Sequence, residues 1–228
     1  MEAIELYLVD VRDNFNDKDV LNEIISVILD NPFIEVEVAD YELKYSYNDS
    51  INKEDLCKQL SRKKQTSFRL FSKPDSKEYI SVVKTKHKNV IHFHLNKNES
   101  LNLLNNELNS YILRLANSLP QFHTATIKLI KGNEIGDFYY ENEITKVPSK
   151  SFGGMYVEFM HFIAPSLYLD EYGKKDLLAA PAVMVKECEN DIIQIQGYSD
   201  SNTPKSKRTV EELKRLTPYL RSKAKWNN

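Results

Sequence analysis

Apolar and polar positions alternate along this chain in two periods, one of strands and one of helices. Glu5 to Val9 reads as a first short strand, and from Asp17 to Asp30 the apolar residues Val20, Leu21, Ile24, Val27 and Ile28 recur at helical spacing. Asn31-Pro32 ends that helix. Ile34, Val36 and Val38 then alternate with Glu35 and Glu37, and Tyr41, Leu43 and Tyr45 alternate with Glu42 and Lys44. This predicts a hairpin turning at Ala39-Asp40, apolar on one face and charged on the other. A helix capped by Asp49 or Ser50 and running to Lys64 would turn Leu56 and Leu60 inward.

Three strands follow, over 67–72, 78–84 and 89–95, separated by Lys73-Pro74-Asp75 and Lys86-His87-Lys88-Asn89. The longest helix spans 99–119, with Leu101, Leu104, Leu108, Ile112 and Leu115 on one stripe and Pro120 as its stop. Phe122 to Ile130 returns as a strand, and Gly132 to Lys150 holds little pattern beyond a short strand around Phe138 to Tyr140. Phe152 to Tyr168, apolar and aromatic, is predicted helical with a break at Ala164-Pro165. Ala182 to Lys186 and Asp191 to Gln196 form a hairpin with Cys188-Glu189-Asn190 near its turn. Ser199 to Ser206 is a polar loop, and Thr209 with Glu212 makes a capping box for a last helix carrying Val210, Leu213 and Leu216. The succession predicts the α+β class, with mostly antiparallel sheets and hairpins packed by helices. One domain over 1–228 is expected, and the pattern allows two sublayers dividing near residue 120.

Composition narrows the classes. The chain has 228 residues, 28% charged and 41% hydrophobic, with mean hydropathy −0.50, enough to bury a core. No run approaches the roughly 18–20 apolar residues of a membrane span, and the first ten residues are acidic where a signal peptide is basic and then apolar. Cys57 and Cys188 lie far apart and outside any paired motif, so neither a disulfide framework nor a cysteine zinc site is expected. A reducing, intracellular setting follows as the expectation.

The net charge of −2 hides a segregation. Residues 1–55 carry fifteen carboxylates against four basic residues, whereas residues 56–97 carry eleven basic residues against Asp75 and Glu78. From Lys205 onward eight basic residues oppose Glu211 and Glu212. Either the halves neutralise one another in one body, or an acidic face is held out for a basic partner.

Sites for chemistry are scarce. His92 and His94 share one strand face, with His87 and His123 as further candidates for a metal, but the alternation with Ile91, Phe93 and Leu95 turns both outward as solvated histidines. No metal and no cofactor are expected. Pro74-Asp75 matches half of a metal-dependent nuclease signature, yet Val82 and Lys84 stand where the second carboxylate is required, two residues before Lys84 and Lys86. No nucleophile elbow, phosphate loop, dinucleotide fingerprint or HExxH occurs. Gly153-Gly154 reads as a tight entry into a buried helix rather than an anion cradle. Phe68, Phe71 and Tyr79 among lysines invite a nucleic-acid reading, which the pI of about 6.2 and the acidic N-terminal segment oppose. Neither nucleic acid nor membrane is expected as a partner.

The second half carries a family likeness. The helix leading into Ser118-Leu119-Pro120-Gln121-Phe122-His123, the Phe152-Gly153-Gly154-Met155-Tyr156-Val157-Glu158-Phe159 stretch with Ala164-Pro165, and Tyr198-Ser199-Asp200 followed by Leu213-Lys214-Arg215-Leu216-Thr217-Pro218-Tyr219-Leu220-Arg221 resemble bacterial immunity proteins of polymorphic toxins. The comparison is with immunity protein 52 and related type VI immunity families, over roughly Leu101 to Arg221, although the Phe152–Tyr168 stretch lacks a tryptophan. The resemblance implies a cytoplasmic, non-enzymatic antitoxin that binds a secreted toxin domain and occludes its active site. Asp10, Asp13, Asp17, Asp19, Glu35 and Glu37 are the candidate contacts to a basic toxin surface. The competing classes are a hydrolase or other enzyme without a short signature, and a nucleic-acid-binding regulator.

Overall fold

The computed structural model describes residues 2–10, 18–41, 47–48, 51–61, 66–74, 76–85, 89–96, 101–119, 122–131, 146–147, 155–199 and 206–225. Strands β1 (Glu2–Asp10), β2 (Val38–Tyr41), β3 (Tyr47–Asn48), β4 (Thr66–Phe71), β5 (Tyr79–Lys84) and β6 (Asn89–Asn96) are interleaved with helices α1 (Lys18–Leu29), α2 (Lys53–Ser61) and α3 (Leu101–Ser118). After them come β7 (Phe122–Lys131), β8 (Lys146–Val147), β9 (Met155–Tyr156), β10 (Met160–Ile163), α4 (Pro165–Glu171), α5 (Lys174–Leu178), β11 (Met184–Glu187), β12 (Ile193–Gln196) and α6 (Lys207–Lys223). The class is α+β. Contacts group the chain into one compact unit of residues 5–122 and another of residues 1–4 with 123–228.

In the unit of residues 5–122 the sheet order is β1-β6-β5-β4-β2-β3, antiparallel at β6–β5, β5–β4, β4–β2 and β2–β3. The two-residue period places Phe68, Leu70, Ile80, Val82, Ile91, Phe93 and Leu95 on one face, and all are buried. Against that layer the helices bury Leu21, Ile24, Ile25 and Ile28 from α1, Leu56 and Leu60 from α2, and Leu108, Ile112 and Leu115 from α3. Each such side chain contributes about 1.5–3 kcal/mol. The stripe of α1 is centred one position away from the sequence expectation, since Ile25 is buried while Val20 and Val27 are half-buried. Lys84 shares the apolar face and is only 4% exposed, where its ammonium donates to the Leu60 carbonyl at 2.9 Å. It thereby satisfies an orphan carbonyl in the last turn of α2.

Two expectations fail here. The hairpin turning at Ala39-Asp40 is not formed: both residues lie inside β2, fully buried, with Ala39 opposite Leu70 and Asn48 and Asp40 opposite Arg69 and Tyr47. Pairing with β4 as well as β3 overrides the turn preference of Asp40, and the link to β3 crosses residues 42–46, outside the described residues. At α2 the first turn is held by Asn52, whose side-chain oxygen accepts from the Glu54 N–H at 2.8 Å. Asp49 and Ser50 lie outside the described residues.

In the other unit the order is β11-β12-β10-β7, with residues 2–4 of β1 beyond β7, and β8 pairs with β9. The predicted helix over Phe152–Tyr168 is corrected: β9 and β10 occupy its centre, and a helix starts only at Pro165. β10 is buried at all four positions because strands flank it on both edges and both of its faces are covered. Such a strand shows an unbroken apolar run with no period to read. The hairpin of β11 and β12 forms as expected, turning through Asn190 and Asp191 at φ 55° and 58°. The capping box at Thr209 does not form. Ser206 caps α6 by accepting from the Thr209 N–H at 3.1 Å, and Thr209 is buried in the first turn. Glu212 instead accepts from the Ser199 N–H (2.8 Å) and hydroxyl (2.7 Å) and from Arg208. Burial raises the pKa of this carboxyl, but those donors outweigh it and hold it below the usual range. The predicted strand at Phe138–Tyr140 lies outside the described residues.

Gly197 lies where the chain leaves β12, its N–H donating to the Phe159 carbonyl at 2.9 Å. A Cβ there would sit 2.4 Å from the Glu158 carbonyl oxygen and 2.9 Å from Val157 Cγ1. Gly197→Ala should therefore cost roughly 3 kcal/mol by forcing two backbone segments apart. Urea unfolding that gives the variant wild-type stability would refute this close approach.

Candidate functional site

The turn after α1 is built around one side chain. Asn31 donates through Nδ2 to the Ile28 and Ile34 carbonyls, both at 3.0 Å, and its Oδ1 accepts from the N–H groups of Phe33 (3.0 Å) and Ile34 (2.8 Å). All the hydrogen-bonding capacity of its amide nitrogen is used, so the turn is fixed without help from a ligand. Facing it, Tyr111 on α3 is buried, edge-on to Phe33 at 5.6 Å and to Phe93 at 5.5 Å, and its hydroxyl donates to the Val27 carbonyl at 3.1 Å. Burial pushes that phenol far above its ordinary pKa. One turn further on, the Arg114 guanidinium lies 5.4 Å from the Tyr111 ring centroid and donates to the Asp30 carboxylate and the Asp30 carbonyl, each at 2.9 Å.

Between this turn and α3 runs an open groove of about 680 Å³ lined by Asp30, Asn31, Pro32, Glu107, Ser110, Tyr111 and Arg114. Tyr111 enters its lining only at an edge, being 3% exposed, and the charged residues of the lining are Asp30 and Glu107 with the cation Arg114. Its titratable groups are an Arg114–Asp30 ion pair, Glu107 and the Tyr111 hydroxyl, which is engaged by the Val27 carbonyl.

The candidate acids fall in several places. Asp19 is exposed in the first turn of α1, and Glu35 and Glu37 are exposed just beyond the Asn31-Pro32 turn. Asp10 ends β1, and its side chain, like all of Asp13 and Asp17, lies outside the described residues. Glu107, Ser110 and Arg114 belong to no motif, and the apolar stripe of α3 does not mark them. Their i, i+3, i+7 spacing was the signal available.

The histidines do face away from the apolar layer, yet they are not simply solvated. Tyr79 lies between the Arg69 guanidinium, 5.1 Å from its centroid, and the stacked His94 ring at 5.2 Å and 11°, with His92 edge-on at 5.6 Å. Cross-strand pairing of Tyr79 with His94 and of Ser81 with His92 builds this ladder. Among the described residues no three His, Cys, Asp or Glu side chains are placed to hold a metal ion. His87 and Asp75 lie outside them, His123 sits 3.3 Å from the Ser166 hydroxyl, and Lys84 serves α2. Gly153 and Gly154 are also outside the described residues. Both thiols are half-buried, and burial raises their pKa, which keeps them protonated.

No family model matches the chain, and no curated protein matches it. Among solved structures, the Pseudomonas aeruginosa T6SS protein PA0821 is similar with a TM-score of 0.61 at 9% identity, over 97% of this chain and 77% of that one. That likeness shows a shared fold. The toxic C-terminal tip of CdiA from Pseudomonas aeruginosa in complex with immune protein aligns at a TM-score of 0.39 and 14% identity, over 57% of this chain and 87% of that one, and carries no argument about this chain.

One buried titratable group offers a measurement. His161 on β10 accepts the Glu158 N–H at Nε2 (2.7 Å), while Nδ1 meets no hydrogen-bond partner among the described residues. Complete burial lowers its pKa from 6.5 to about 4. The folded state therefore refuses a proton that the unfolded chain accepts, so stability is unaffected above pH 6.5 and falls as pH drops from there toward 4. Urea unfolding should show a loss of about 2 kcal/mol between pH 7 and pH 5 that is absent from His161→Gln. Equal pH slopes for the two proteins would contradict it.

Proposed function

We propose that the protein is an antitoxin of interbacterial competition, which binds a cognate protein toxin and covers its active site without chemistry of its own. The observation that carries this reading is the fold, shared over 97% of the chain with a T6SS protein. The patterning from Leu101 to Arg221, similar to immunity proteins, supports it independently. An occluding protein needs a stable scaffold and an exposed recognition surface rather than converging catalytic groups. The groove between the Asn31-Pro32 turn and α3, with Glu35 and Glu37 beyond it, is a surface of that kind. No helix of the described residues is long and apolar enough to cross a membrane, and the proposed place of action is the cytoplasm.

The partner surface is proposed to be basic. Exposed carboxylates steer a cationic protein and raise the association rate, in a way that salt screens. Asp19→Lys, Glu35→Lys and Glu37→Lys combined should slow association with the toxin domain encoded beside the gene and flatten its salt dependence. An unchanged rate constant at low ionic strength would leave these residues as solvated surface.

Protection of cells that express that toxin tests the function itself. Binding energy is spread over a few anchors, with single truncations costing about 1–4 kcal/mol, so single alanine changes at exposed Asp and Glu positions should leave cells protected. Charged substitutions at the buried Leu108, Phe159 or Leu216 should abolish protection by unfolding the scaffold. A single exposed Glu or His change that ends protection while folding and toxin binding persist would establish neutralisation by catalysis instead.

A further inference from the structure

We infer that the groove between the Asn31-Pro32 turn and α3 seats an arginine or lysine projecting from a basic segment of the protein partner. The inference rests on the toxin-binding reading and assigns that reading a position. The groove is preformed: Asn31 makes four bonds within its own turn, and Tyr111 is fixed by Val27, Phe33 and Phe93. A rigid cleft loses little freedom when a partner enters, which is where affinity is usually forfeited.

Its charge selects the occupant. Arg114 takes only Oδ2 of the Asp30 side chain, which stays 76% exposed, and Glu107 is exposed on the opposite wall. With Arg114 matched by Asp30, the groove keeps one net negative charge, at Glu107; Glu35 and Glu37 are exposed after the turn but lie outside its lining. A cationic side chain can lay its methylenes over the exposed Pro32 and place its head between Glu107 and Asp30. An acidic segment would meet that surplus charge, and a neutral one would leave Glu107 unmatched. The Arg69–Tyr79–His94 stack offers less, since both faces of its central ring are already covered.

Two measurements on the full chain decide the matter. Amide NMR titration with an acetylated Arg-Lys-Arg peptide should shift Asp30, Glu107, Ser110 and Arg114, whereas a Gln-Gln-Gln peptide should not, and Glu107→Lys should weaken the response about fivefold or more. Shifts spread evenly over all exposed carboxylates, or unaltered by Glu107→Lys, would overturn the inference. In the second measurement, Ser110→Arg should lower affinity for the neighbouring-gene toxin domain about tenfold or more with an unchanged thermal melt. Unaltered affinity in that variant would overturn the groove assignment and leave the antitoxin reading intact. Failure of the wild-type chain to bind that toxin at all would remove the reading, while the peptide titration still decides whether the groove takes a cation.

Discussion

The two-residue period of β4, β5 and β6 is the constraint on which the unit of residues 5–122 depends. Because Phe68, Leu70, Ile80, Val82, Ile91 and Phe93 point one way, α1, α2 and α3 have a single surface on which to lay their apolar stripes. The polar sides of α1 and α3 are then turned outward together, and the groove between the turn after α1 and α3 is a by-product of where the cores meet. The same alternation sends Arg69, Tyr79, His92 and His94 to the other face, where they stack on one another.

Elements with one wet face were readable in the sequence. α1, α2, α3 and β4 to β6 fall within a few residues of the expected spans, since half of each pattern is written in polar residues. β10 was not readable, because burial on both sides erases the period that separates strand from helix. Ala39-Asp40 misled for a different reason: local turn preference is worth less than two flanking ladders. Thr209 and Glu212 satisfy the spacing of a capping box, but Ser206 lies three residues earlier and Ser199 competes for the carboxylate.

The candidate surface was legible only as a surplus of charge. Composition located acids along residues 1–55 without showing that Asp30 would be clasped by Arg114, 84 positions away. That pairing needs the packing of α1 against α3, a contact no local window contains. PA0821 shares the fold over nearly the whole chain at 9% identity, so a sequence with few residues in common reaches the same arrangement.

Lys84 has a consequence of another kind. Its ammonium is shut beneath the end of α2, bound to the Leu60 carbonyl, while Lys53, Lys58, Lys73 and Lys77 stand in water. Amine-reactive reagents should therefore meet the surface lysines at once and reach Lys84 only through a local opening that breaks its bond to α2. Its slow modification is a clock for that local opening, carried by the natural sequence without any added label.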